Sequence, residues 1–212
     1  MTLLVKVRRG EVAMINAANV KLVKKNMKKS TLAVITLNVG DGDAIIIKFP
    51  SKKGKSACAV VDCYNANKTI AALEALKPDY IPFICATHPH FDHTAGMKKL
   101  LNWCIDNDLA PEQFWDSGFR HEHHDKIRTV FPTSGYETVI HNVRVLVLSP
   151  SIRLKNRYDT FGTNINNASI VLKLEYPPKD IAPYYLSEEK ASDQDLAKNE
   201  RLKQNTVILG GD

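Results

Sequence analysis

The sequence predicts a single α/β domain folded as a layered sandwich, with two sheets packed face to face and helices outside them (α/β/β/α). Three short β-rich runs follow one another between residues 32 and 62, the pattern of an antiparallel meander. Helical periodicity and strand-like runs then alternate, and a second group of β-rich runs occupies residues 139–209. Between the groups an apolar run ends in a histidine-rich turn, Thr87-His88-Pro89-His90-Phe91-Asp92-His93-Thr94-Ala95-Gly96, and feeds a helical-looking segment.

Size and composition fit one such domain over residues 1–212. The chain is 44% apolar, 8% aromatic and 25% charged, enough for one substantial core. No apolar run approaches the roughly 20 residues that cross a bilayer. At the N-terminus, Met1-Thr2-Leu3-Leu4-Val5-Lys6-Val7-Arg8-Arg9 places its charges after its apolar residues, the reverse of a secretion signal. A cytoplasmic protein without membrane contact is the expectation. Cys58, Cys63, Cys85 and Cys104 form no Cys-x-x-Cys pair, so reduced core thiols are expected, with Cys63 left open because it adjoins Asp62. The net charge of +6 favours polyanionic partners such as nucleic acid. Lysines cluster at Lys21, Lys24, Lys25, Lys28 and Lys29 and again at Lys52, Lys53 and Lys55. The first cluster reads as a solvated edge, with phosphate tracking as the alternative.

In chain order, residues 1–30 form an extra N-terminal segment, a strand over Leu3 to Val7 followed by a polar connector or short helix. The meander runs from Leu32 to Val39, through a Gly40-Asp41-Gly42-Asp43 turn whose aspartates cap backbone, to Ala44 to Phe49, and after a turn at Pro50 to Lys55 ends in Ala57 to Asp62. Ile70, Leu73 and Leu76 behind an asparagine cap predict a helix over Asn67 to Leu76. Ile81 to Ala86 is a strand. Asp92 to Asn107 is one helix that lays Met97, Leu100, Leu101 and Cys104 on the sheet. Phe114-Trp115 opens a short strand that enters a loop presenting His121, His123 and His124, candidates for a metal ligand or a phosphate contact. Val139 to His141 and Val143 to Leu148 form a hairpin turning at Asn142, with His141 structural. Arg153 to Ile165 is a polar rim, and Ser169 to Tyr176 a strand. Residues 178–204 are a charged insertion, helical over Leu186 to Lys203, and Thr206 to Leu209 is a buried-type strand that delivers Asp212.

The histidine-rich turn carries the chemistry. It places four metal-ligand side chains, His88, His90, Asp92 and His93, in six positions. Neutral imidazole suits zinc, manganese and iron, and a carboxylate adds charge and can accept or deliver a proton. His88 and His90 can aim at one ion, whereas Asp92 and His93 are displaced enough to reach a second, about 3.5–4 Å away as in two-metal sites.

His88-x-His90-x-Asp92-His93 followed by Thr94-Ala95-Gly96 resembles the signature of the metallo-β-lactamase-fold hydrolases. Further stretches resemble the competence DNA-uptake (ComEC-like) branch of that superfamily in order: Asn38-Val39-Gly40-Asp41-Gly42-Asp43-Ala44, the strand end Val60-Val61-Asp62, Asn166-Asn167-Ala168-Ser169, and Leu209-Gly210-Gly211-Asp212. The resemblance spans about residues 32 to 212. It implies the αββα sandwich and hydrolysis by a hydroxide bridging two divalent ions, zinc or manganese. His88 and His90 would hold the first ion, Asp92 and His93 the second, and Asp212 would bridge them. Asp92 would also act as proton acceptor or donor, and Asp62 would support an imidazole from behind the ligands.

Two departures from the family pattern bear on this. Most members carry a further histidine ligand near where this chain has Thr163-Asn164-Ile165-Asn166-Asn167, a place where the competence-type branch also tends to asparagine. The family's last histidine, with its strands and helix, lies beyond Asp212, so the C-terminal part of the fold is lacking here. The expectation is a chain that associates at its C-terminal edge with another chain or a second copy, or that is one piece of a longer polypeptide. Three functions stay open: a metal-dependent phosphodiesterase or nuclease, a small-molecule hydrolase acting on a thioester or lactam, and a catalytically silent binding domain.

Overall fold

The computed structural model describes residues 4–7, 10–15, 32–118, 127–152, 168–176 and 205–210. Its elements in chain order are β1 (Leu4–Val7), β2 (Gly10–Ile15), β3 (Leu32–Leu37), β4 (Ala44–Lys48), β5 (Cys58–Cys63), α1 (Ala66–Leu76), β6 (Ile84–Ala86), α2 (Phe91–Thr94), α3 (Met97–Asp106), β7 (Phe114–Asp116), β8 (Thr129–Val130), β9 (Glu137–Ile140), β10 (Val143–Ser149), β11 (Val171–Tyr176) and β12 (Asn205–Leu209).

The strands form an eight-stranded sheet in the order β1 to β8 and a four-stranded sheet in the order β12-β11-β10-β9. Alternation along the strands explains why the larger sheet is covered on both faces. On β3, Ala33, Ile35 and Leu37 join one core cluster and Leu32 and Val34 the other; on β5, Cys58 and Val60 divide in the same way from Ala59 and Val61. The first cluster includes Leu73 and Leu76 of α1 and Met97, Leu100, Leu101 and Cys104 of α3, which makes it the helix-facing core. The second includes Val143, Val145 and Val147 of β10 and Leu172 and Leu174 of β11, which places it between the sheets. The layers are therefore helix, sheet, sheet. Among the described residues no helix covers the outer face of the smaller sheet, and none is long and apolar enough to cross a membrane.

β3, β4 and β5 pair antiparallel as the expected meander, and β5 to β8 run parallel. The N-terminal segment differs from expectation. It holds two strands rather than one, and β2 pairs parallel with β3. The helix expected over Asp92 to Asn107 is two helices, α2 and α3, parted at Gly96. The cause is a close backbone approach: the Gly96 N–H donates to the Cys63 carbonyl at 2.8 Å, and a Cβ on Gly96 would lie 2.6 Å from the Ala66 nitrogen. α1 starts one residue ahead of the expected Asn67, with Asn65 as its cap accepting from the Lys68 N–H at 3.1 Å. The β9–β10 turn is His141-Asn142, both at positive φ, as a two-residue hairpin requires. β12 is not a buried-type strand. Among the described residues it pairs with β11, and Ile208 is 61% exposed, because it alternates with Val207 and Leu209, which face the core between the sheets. The expected rim over 153–165 and insertion over 178–204 lie outside the described residues.

Leu73 is fully buried between α1 and the larger sheet, whereas Leu148 on β10 is 39% exposed. Leu73→Ala is expected to cost about 2–5 kcal/mol, from lost transfer energy and an unfilled cavity. Leu148→Ala is expected to stay within about 0.5 kcal/mol of the parent, as ordinary surface changes do. Urea unfolding of both variants measures the difference.

Candidate metal centre

Strand ends meet at one edge of the larger sheet. Asp43 precedes β4, Asp62 is the next-to-last residue of β5, Thr87 and His88 follow β6, and Asp116 ends β7. Since β5, β6 and β7 are parallel, this is the carboxyl edge where α/β sheets bind ligands.

Asp62 owes its aim to a bulge. The β4–β5 register slips between Ala44 opposite Cys63 and Ile45 opposite Val61, and Asp62 at that slip has a φ of 57°. A bulge redirects a side chain out of the strand's alternation, and aspartate tolerates left-handed backbone better than most residues. The carboxylate is 1% exposed and fully engaged. Its Oδ1 accepts the Thr87 N–H at 2.8 Å, and its Oδ2 accepts the Thr87 hydroxyl at 2.7 Å and His93 Nδ1–H at 2.8 Å.

This network dictates two tautomers. The Thr87 hydroxyl spends its proton on Asp62, so towards His88 Nδ1, 3.1 Å away, it can only accept. His88 and His93 therefore both carry a proton on Nδ1 and present Nε2. The second nitrogen of His88 lies 3.1 Å from His90 Nδ1, and that of His93 lies 3.6 Å from Asp92 Oδ2. The His88 ring centroid is 4.6 Å from that of His90 and 4.1 Å from that of His93. Ring nitrogens facing one another with a carboxylate alongside form a donor set suited to a divalent ion of the zinc type.

Burial opposes charge on His93, but the Asp62 hydrogen bond and the charges of Asp62, Asp43 and Asp92 outweigh it and raise its pKa above the ordinary value. Asp43 Oδ2 stands 3.8 Å from His93 Nδ1, and Asp43, Asp62 and His93 together offer ligand atoms within 4.8 Å of one another. That trio faces the Nδ1 edge of the ring, already committed to Asp62, while Asp92 faces the Nε2 edge. The Nε2 edge is therefore the one this ring leaves open to an ion. Asp43 and Asp92 are 40% and 43% exposed in their side chains, whereas the His93 ring between them is 2% exposed.

The sequence pattern makes Asp43 a turn cap, whereas the structure sets it beside His93. The signal available was its place directly before β4, opposite the end of β5. Its backbone also holds the motif: Asp43 N–H donates to the Asp92 carbonyl at 3.0 Å, and Asp43 carbonyl accepts from Tyr64 N–H at 2.9 Å. Gly42 makes that contact feasible, since a Cβ there would sit 2.3 Å from the Asp92 carbonyl oxygen. Burial pushes the Cys63 thiol up to about 11, against a lowering hydrogen bond to Thr69 and with a smaller rise from Asp62, and all four cysteines are buried and in no disulfide. Asp212, His121, His123 and His124 lie outside the described residues. His141 is remote from this edge and ties Pro50 to Tyr80.

The layered fold thus presents a cluster of imidazole and carboxylate donors at one strand-end edge. The sequence profile of the metallo-beta-lactamase superfamily matches residues 37–177, and the chain belongs to that superfamily. Among solved structures it is similar to a subclass B3 metallo-beta-lactamase of Bradyrhizobium japonicum, at 12% identity over 79% of this chain and 55% of that one, with a TM-score of 0.40. A B3 metallo-beta-lactamase with an active-site glutamic acid gives 14% identity over 81% and 60%, with a TM-score of 0.41. A metallo-beta-lactamase from Staphylococcus aureus gives 17% identity over 63% and 35%, with a TM-score of 0.35. The chain thus spans between about a third and three fifths of the length of these structures. No curated protein matches it.

Gly42→Ala is expected to push the 40–43 turn off the motif and weaken zinc binding roughly tenfold or more, as loss of ligand support does. Asp41→Ala, an exposed neighbour on the same turn, is expected to leave it unchanged. Zinc titration by calorimetry separates the two.

Proposed function

We propose that this chain is a metal-dependent phosphodiesterase of the competence DNA-uptake (ComEC-like) type, acting on nucleic acid with two divalent ions, zinc or manganese. The observation that carries the reading is the convergence of His88, His90, Asp92 and His93 on one strand-end edge, with two imidazole tautomers held by one buried carboxylate. In this reading His88 and His90 hold one ion, Asp92 and His93 the other, and Asp212 joins them.

A divalent ion in such a site lowers the pKa of water and neutralises charge that develops on the substrate. The chain's own residues supply the rest. Asp62 fixes His93 directly and His88 through Thr87, so both rings keep their orientation without a further conformational cost. Asp92, partly open to solvent, takes a proton from the nucleophile or passes one to the leaving group. Nucleic acid is favoured as substrate by the net charge of +6. Phe91, 76% exposed between two ligand residues and edge-on to Tyr64 at 6.1 Å, offers a face on which a base can stack.

The test is hydrolysis of bis(p-nitrophenyl) phosphate and of labelled single-stranded and duplex DNA with added zinc or manganese, with nitrocefin and a thioester in parallel. The expected result is phosphodiester cleavage that vanishes, along with the bound metal, in the His88→Ala, His90→Ala double variant. DNA binding is expected to fall steeply as salt rises, because several phosphates are neutralised. Cleavage of the lactam or thioester alone, or salt-independent DNA binding, contradicts the nucleic-acid reading.

A further inference from the structure

A second polar pocket lies at the opposite end of the same strands. The metal centre lies at the carboxyl ends of β5 and β6. Residues that precede β6 and β7, together with the β4–β5 and β9–β10 turns, line a cavity of about 590 Å³. From Phe83, on its floor, to His88 the chain runs five residues, about 16 Å in extended form. A cavity of that volume suits a small organic ligand.

Its walls are fixed by hydrogen bonds. His141 Nδ1–H donates to the Pro50 carbonyl at 2.7 Å, and the Tyr80 hydroxyl donates to His141 Nε2 at 3.0 Å. Gln113 Oε1 accepts from both Trp115 Nε1 at 2.7 Å and the Tyr136 hydroxyl at 3.3 Å. That double acceptance sets the rotamer of the amide, whose nitrogen has no partner among the described residues. Trp115 is in turn stacked on Phe83, with ring centroids 4.1 Å apart.

The mouth is positively charged at a local cost. Lys52 and Lys55 are directly opposed across a two-residue turn, exchanging both backbone hydrogen bonds at 3.0 Å, and Lys53 occupies the turn itself at a φ of 51°. Like charges set opposite each other destabilise a strand pair. Among the described residues none of the three has a carboxylate within ion-pair distance. Lys52 Nζ reaches Asn142 Oδ1 at 3.4 Å, and Asp79, whose carboxyl is hydrogen-bonded by the Ser56 N–H and hydroxyl at 2.6 and 2.9 Å, is the acid that feels the charge of Lys55. Glu112 is the single acidic side chain among the described lining residues. Three lysines gathered at a pocket mouth with little acidic counter-charge among the described lining residues suit an anionic ligand.

We propose that this pocket is a binding site for a phosphate-bearing small molecule of nucleotide size, separate from the metal centre, in which Lys52, Lys53 and Lys55 meet the phosphate oxygens and the Gln113 amide donates to one of them. Lysine ammoniums and a fixed amide donor match that chemistry, because hydrogen bonds to an ionised oxygen are the stronger kind. The site stands on the pocket alone and does not depend on the reading of the metal centre.

The experiment is calorimetric titration of the metal-loaded protein with AMP, inorganic pyrophosphate and adenosine, accompanied by tryptophan fluorescence, since Trp115 forms the floor. AMP and pyrophosphate are expected to bind with sub-millimolar affinity and perturb the fluorescence, and adenosine is expected not to bind. A Lys52→Glu, Lys53→Glu, Lys55→Glu variant is expected to lose at least tenfold in affinity while keeping its metal content and unfolding midpoint. Gln113→Glu, which replaces the amide donor by a carboxylate, is expected to weaken binding as well. Binding must persist in the His88→Ala, His90→Ala variant. Absence of binding, equal binding by the triple lysine variant, or loss of binding with the histidine pair overturns the proposal.

Discussion

The site rests on one buried carboxylate. Asp62 sits where a bulge takes it out of the alternation of β5, and it accepts three hydrogen bonds, two from Thr87 and one from His93. An unpaired carboxylate at 1% exposure would cost several kcal/mol. Each hydrogen bond to a charged group returns about 1.5–3 kcal/mol, so the carboxylate is stable there only while Thr87 and His93 stay in place. The dependence is mutual. The turn after β6 is anchored to β5 through that carboxylate, and the two rings acquire their tautomers from it.

The glycines around the turn extend the same constraint to the backbone. Gly42 lets the β3–β4 loop reach the Asp92 carbonyl, and Gly96 lets the end of the motif reach the Cys63 carbonyl. The histidine-rich turn is thus held from both sides by backbone contacts too close for any Cβ. Helix α3 then packs Met97, Leu100, Leu101 and Cys104 into the helix-facing core, so the mobility of the ligand turn is limited by the packing of the domain itself.

Much of this was legible in the sequence because it is local. Four ligand-type residues in six positions after an apolar run need no tertiary information to be noticed, and the meander over β3 to β5 follows from period-two alternation and turn residues. What stayed hidden depends on distant pairing. Asp43 and His93 are fifty positions apart, and a Gly-Asp-Gly-Asp segment has an ordinary explanation as a capped turn, so its place beside the imidazole emerges only when β4 pairs with β5. The break between α2 and α3 is likewise set by the Cys63 carbonyl rather than by anything in the helical pattern around Gly96. β2 is hidden because its pairing with β3 is parallel and crosses a long connection, and the exposure of Ile208 is hidden because an apolar run does not reveal which face of its strand meets the core.

The central claim is that Asp62, directly and through Thr87, keeps the proton of both His93 and His88 on Nδ1 and turns Nε2 towards the metal. Long-range proton–nitrogen NMR of the imidazole rings in the zinc-saturated protein at neutral pH reads this directly. The account predicts that His88 and His93 each show a protonated Nδ1 and an unprotonated Nε2. An unprotonated Nδ1 on His93 would place the ion on the Asp43–Asp62 side of the ring and contradict it.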